Sequence, residues 1–232
     1  MLDRMRRLPW IIGGLVIIVA VILAAPFLYK AARGGDDPPA PSVSVEGAEA
    51  ADGELDGTWV VIPGTEPNLT TAGYTVREVL RGEPVTVVGS TNRVTGQAVI
   101  SDTTLQSAEF RVEVAGVATD IYQRDERLRS QTILDVAAHP VATLTLARPV
   151  DGRSFPDDGT PTTTPMEVDL MIKGTTVRKT IGVTILRSGE RLIASGSAPL
   201  TWTEVGVEPP SLGFVTVEPT GTIDFLVSLA RA

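Results

Sequence analysis

The chain holds one histidine and no cysteine among 232 residues, and that scarcity limits the chemistry it can perform. His139 stands before Pro140 at the head of an apolar run, and Asp135 lies four residues earlier. As a general base, His139 needs a nucleophile within reach and a carboxylate to orient it. Asp135 suits the second role, but no G-x-S-x-G elbow supplies the first. One imidazole without thiolates is too small a donor set for zinc or copper. His139 therefore reads as structural or solvated. Asp157-Asp158 sit among Gly, Pro and Thr, where a solvated loop is a simpler reading than an acid/base pair. Neither G-x-G-x-x-G nor a P-loop is present to cradle a phosphate. No enzyme activity, cofactor or metal is expected. Arg124-Asp125 and Arg127-Leu128-Arg129 keep two readings open: ion pairs closing the end of a fold, or cations fixing the head group of a ligand.

What remains is apolar surface, and the elements that present it are written in period two. Phe110, Val112 and Val114 alternate with charged residues. Met166, Val168, Leu170 and Ile172 alternate with Glu167, Asp169, Met171 and Lys173, Val177, Ile181, Val183 and Ile185 with Arg178, Thr180, Gly182 and Thr184, and finally Ile223, Phe225, Val227 and Leu229 with Asp224, Leu226, Ser228 and Ala230. One apolar face and one wet face mark antiparallel strands with a single buried side. Turn signals fall at residues 81–84, 152–161, 173–175, 188–190 and 218–221. About eight strands result, which suits a barrel or a sandwich. Residues 123–138 (QRDERLRSQTILDVAA) break the rhythm and predict one or two short helical turns ended by His139-Pro140. Few aromatics among many Val, Leu, Ile, Thr and Ala suit a barrel that leaves internal space, although small residues can also pack tightly.

Several of these segments together resemble the YceI-like proteins. The run Tyr122-Gln123-Arg124-Asp125-Glu126-Arg127-Leu128-Arg129-Ser130, followed by Ile133-Leu134-Asp135-Val136, His139-Pro140 and a strand, matches that family's most recognisable segment. Leu170-Met171-Ile172-Lys173-Gly174-Thr175-Thr176 looks like its Lys-Gly hairpin, and residues 89–100 (GSTNRVTGQAVI) like its glycine-bounded second hairpin. The likeness covers residues 57–232. The chain departs from the family pattern at residues 62–68, which lack a histidine, and at Trp202, which stands where the family favours arginine. The resemblance implies an all-β, lipocalin-like antiparallel barrel whose interior holds a long apolar molecule, typically an isoprenoid chain. The expected lining is Phe110, Val112, Val114, Leu144, Leu146, Val168, Leu170, Ile172, Val183, Ile185, Phe225 and Val227, with Tyr74, Trp202 and Phe214. The alternative is an envelope protein–protein interaction module with a filled barrel.

The N-terminal part sets the location. Residues 10–29 (WIIGGLVIIVAVILAAPFLY) are 20 uncharged positions, 12 of them Ile, Leu, Val or Phe. Such a helix is roughly 30 Å long, the thickness of a bilayer core, and exceeds the h-region of a cleaved signal. Arg4, Arg6 and Arg7 before it place residues 1–9 in the cytoplasm and the rest outside. The expectation is a single-pass membrane protein with an extracytoplasmic domain at residues 57–232. Residues 30–56 form the linker; from 34 on it reads GGDDPPAPSVSVEGAEAADGELD, a flexible tether with a reach of about 25 Å. Residues 34–232 carry a net charge of −12, which makes nucleic acid a poor partner and anionic head groups repellent.

Overall fold

The computed structural model describes residues 40–80, 82–211, 213 and 215–232. The anchor expected at 10–29 lies outside them, as does Phe214. No helix among the described residues is long and apolar enough to cross a membrane. Among the described residues ten strands of six or more residues build the wall: β1 (Gly57–Ile62), β2 (Thr71–Leu80), β3 (Glu83–Thr91), β4 (Val94–Ser101), β5 (Thr104–Glu113), β6 (Val141–Leu146), β7 (Thr162–Ile172), β8 (Thr175–Ser188), β9 (Arg191–Thr201) and β10 (Val215–Arg231). One helix, α1 (Tyr122–Arg129), lies between β5 and β6.

All neighbouring strands run antiparallel, and the ring closes. β1 pairs with β4, and the order continues through β5, β6, β7, β8, β9 and β10, which returns to β1. The long β10 meets β1 along residues 228–231 and β2 along residues 215–226. β2 thus prolongs β1 along the same edge, and β3, paired with β2, runs on into β4. The result is a closed eight-stranded barrel. Its strands keep the period-two code: in β7, Met166, Val168, Leu170 and Ile172 are buried while the residues between them are half-exposed. The β7–β8 hairpin turns on Lys173 and Gly174, both at positive φ, the geometry that a two-residue hairpin requires. His139 lies over Gly174, with its Cε1 2.8 Å from where a side chain would begin. The imidazole is thereby used in packing.

The two ends differ. At one end Leu55, Trp59 and Phe155 are buried in the main core and plug the barrel, and Trp59 Nε1 donates to the Leu55 carbonyl at 2.9 Å. At the other end β3 runs along a gap, bridged to the following segment at Ser90 and Ala118. Residues 114–140, with α1 among them, fill that gap. A smaller apolar cluster there joins Ile133, Ile172, Leu200, Val205 and Val207.

Two expectations are corrected here. Residues 218–221 are not a turn between strands; β10 passes straight through them with a bulge between Val217 and Gly221. Pro219 removes a ladder donor, and the bulge absorbs that loss. The second correction concerns the linker, whose residues 40–56 lie against the barrel. Val43 donates its amide to Ser195 Oγ at 3.2 Å, and Ser44 exchanges two hydrogen bonds with the Asn68 side chain. Ala51 and Asp52 donate to the Asp157 and Gly189 carbonyls, at 2.7 and 2.9 Å. Val43 and Ala48 cover Leu186, Ile193 and Leu226, which face outward from β8, β9 and β10.

Candidate ligand cavity

The barrel interior is solid toward the plugged end and hollow toward the other. The hollow is a cavity of about 650 Å³. Of the residues expected to line it, Phe110, Val112, Val114, Leu144, Leu170, Ile172, Phe225, Val227, Tyr74 and Trp202 do so. Leu146, Val168, Val183 and Ile185 do not. They point inward as their alternation requires, but they lie below the cavity, packed with Met166, Ile181 and Leu229. Period two fixes the face of a strand, whereas the height along the barrel axis depends on how all eight strands are staggered. An interior filled throughout, the alternative left open by the sequence, is not what the barrel contains.

Other lining residues come from elements with a weaker pattern. Ala72, Val76 and Leu80 of β2 contribute, as do Val87 of β3 and Val94 of β4. The alternation in β2 is interrupted by Glu78, an acid at an inward position, which masks the signal. The gap-filling segment adds Val117, Ile121, Leu128, Ile133 and Leu134, and the chain after β9 adds Val205, Val207, Pro209 and Pro210. Leu128 and Ile133 were legible as apolar members of the helical insertion; the two prolines carried no signal.

One wall of this apolar space is polar. Glu78 is buried and accepts from Arg124 of α1 at 2.8 Å, and the same guanidinium reaches Asp120 at 3.0 Å. Asp125, also buried, accepts from the amide and hydroxyl of Thr119, both at 2.8 Å. These contacts fasten α1 across the gap, which is the ion-pair reading of the Arg124-Asp125 motif. Arg124 also lines the cavity, with Gln123 and Arg127 beside it. Tyr74 stands next to this cluster. Its hydroxyl is pushed up to about 12, first by burial and then by the nearby acids, against a lowering by Arg124. It therefore stays a neutral donor under ordinary conditions. Trp202 meets Tyr74 edge-on, with ring centroids 6.4 Å apart, and lays its indole on Gly221, where no side chain would fit. That seat leaves Trp202 Nε1 buried without a hydrogen-bond partner.

Among the described residues no group of three or more His, Asp or Glu could hold a metal ion. Apolar lining, one closed end and internally balanced charges equip the cavity to exclude water from a slender apolar molecule.

Comparison with known proteins agrees with this geometry. Residues 65–229 match the model of the YceI-like domain. A polyisoprenoid-binding domain from Saccharophagus degradans superposes with a TM-score of 0.58 at 15% identity, covering 76% of this chain and 99% of its own. BcnA from Burkholderia cenocepacia does so with a TM-score of 0.51 at 18% identity, covering 67% and 95%. At such identities the likeness establishes the shared barrel fold. No curated protein sequence matches the chain.

Proposed function

Since this chain belongs to the YceI-like family, we propose that its barrel binds a long apolar lipid, an isoprenoid chain such as a polyprenol or an isoprenoid quinone, for carriage or storage. The observation that carries the reading is the apolar cavity of about 650 Å³, within the range of pockets that bury most of a small ligand's surface. The polyisoprenoid binding of the Saccharophagus degradans domain, whose fold this barrel shares, supports it. The energetics are adequate. Burying ten methylenes at ~0.8 kcal/mol each gives about 8 kcal/mol before costs, near micromolar affinity, without any charged contact. Arg124 is already balanced by Glu78 and Asp120, so the chain of the lipid supplies the binding energy.

The membrane is the source of such a lipid. We place residues 10–29 across it, with the barrel on the extracytoplasmic side. The test is direct. The protein is purified, extracted with organic solvent and analysed by native mass spectrometry before and after incubation with polyprenol or isoprenoid quinone. The expected result is a copurifying or newly bound isoprenoid at one per chain. A protein that carries none and takes up none would overturn the reading.

A further inference from the structure

The lower boundary of the cavity includes one cross-strand pair. Phe225 of β10 stands directly opposite Gly196 of β9. Its ring lies over that glycine, so that a Cβ at 196 would stand 2.7 Å from Phe225 Cζ and 2.9 Å from its Cε1. The same ring lines the cavity. Val227, the next inward residue of β10, borders the cavity too, and beyond it Leu229, with Val183, belongs to the solid half of the barrel. Phe225 therefore has wall on one side and open volume on another, and with Val227 it forms the floor of the hollow.

We propose that Phe225, seated on Gly196, is the gauge that limits how long an isoprenoid chain the barrel accepts. This rests on the isoprenoid-binding reading above. A slender chain entering from the open end proceeds until it meets an atom it cannot displace. The absence of a side chain at 196 lets the ring lie back against β9 and leaves the space above it free. Gly196 has no positive φ, and its close neighbours are the far end of that ring and the Gly182 carbonyl oxygen at 3.3 Å. An added methyl group is thus accommodated by swinging the ring away from β9, and the open volume is the cavity. Removing the ring does the reverse and extends the hollow toward the plugged end.

Two substitutions must therefore act with opposite sign, which general damage to the fold does not produce. The full chain in amphipol is offered an equimolar mixture of farnesol, geranylgeraniol and solanesol, and the bound prenols are extracted and quantified. Gly196→Ala should shift the bound profile toward the shorter prenols, and Phe225→Ala toward the longer, each by about tenfold in the ratio of neighbouring lengths. Phe225→Leu, which keeps an apolar side chain, should move the profile the same way by less and serves if the alanine variant does not fold. Profiles that stay unchanged, or that move the same way in both variants, would overturn the gauge while leaving isoprenoid binding intact. A wild-type chain that binds no prenol would overturn both.

Discussion

Tyr74 shows how an apolar cavity changes the behaviour of a polar side chain within it. Its proton is held to a folded value of about 12 against 10 in the open chain, with burial as the main cause. Below pH 10 both states keep the proton. Between about pH 10 and 12 the unfolded chain loses it and the folded chain retains it, so stability falls as pH rises through that window. The loss approaches about 2–3 kcal/mol. Tyr74→Phe should remove this component. Urea unfolding of wild type and variant across the window should give a steeper alkaline decline for the wild type, while parallel curves would show that the hydroxyl is not held as described. The aromatic face of this site was legible in the sequence, since Tyr74 and Trp202 both lie on the cavity. Glu78 was not, because a carboxylate at an inward position of a strand makes sense only with Arg124, 46 residues away, folded back across it.

At the scale of elements, what the sequence conveyed and what it withheld divide along one line. Alternation marked the inward faces of β5, β7, β8 and β10 because it is local: neighbouring residues decide it. It could not separate Leu170, on the cavity, from Val168, one pleat lower in the solid core. That distinction belongs to the stagger of strands far apart in the chain. The docking of the segment at 40–56 escapes the sequence for a related reason. Its composition is that of a solvated tether, and its attachment depends on backbone bonds to Gly189 and Asp157, with Leu55 as its one deeply buried large side chain. Such bonds leave no trace in hydropathy. The segment is part of the folded unit, and its removal should be felt. A domain beginning at residue 57 exposes Leu186, Ile193 and Leu226 and loses the Leu55 plug. Its stability should fall below that of a domain beginning at residue 40 by about 3 kcal/mol or more, since removing one buried Leu side chain alone costs about 2–5 kcal/mol. Chemical denaturation of the two, side by side, measures it; equal midpoints would mean the segment only rests on the barrel.

For the molecule as a whole, hydrogen bonds to the barrel begin at Val43, so the folded unit starts roughly a dozen residues after the apolar span at 10–29. If that span is an anchor with its N-terminus inside, protease added to spheroplasts should release a fragment the size of the barrel domain and leave the stub with the membrane. A soluble protein whose mature N-terminus lies beyond residue 24 would show a cleaved signal instead. The barrel's asymmetry adds a kinetic constraint. Leu55, Trp59 and Phe155 seal one end, and the interior past Phe225 and Val227 is solid. The cavity is a cul-de-sac, and a guest that enters tail first must back out by the way it came. Such a protein cannot be a conduit with an inlet and an outlet. On the lipid-binding proposal, its traffic is exchange at a single doorway, so whatever loads the barrel and whatever empties it must take turns at the same face, and neither can be served while the other is engaged.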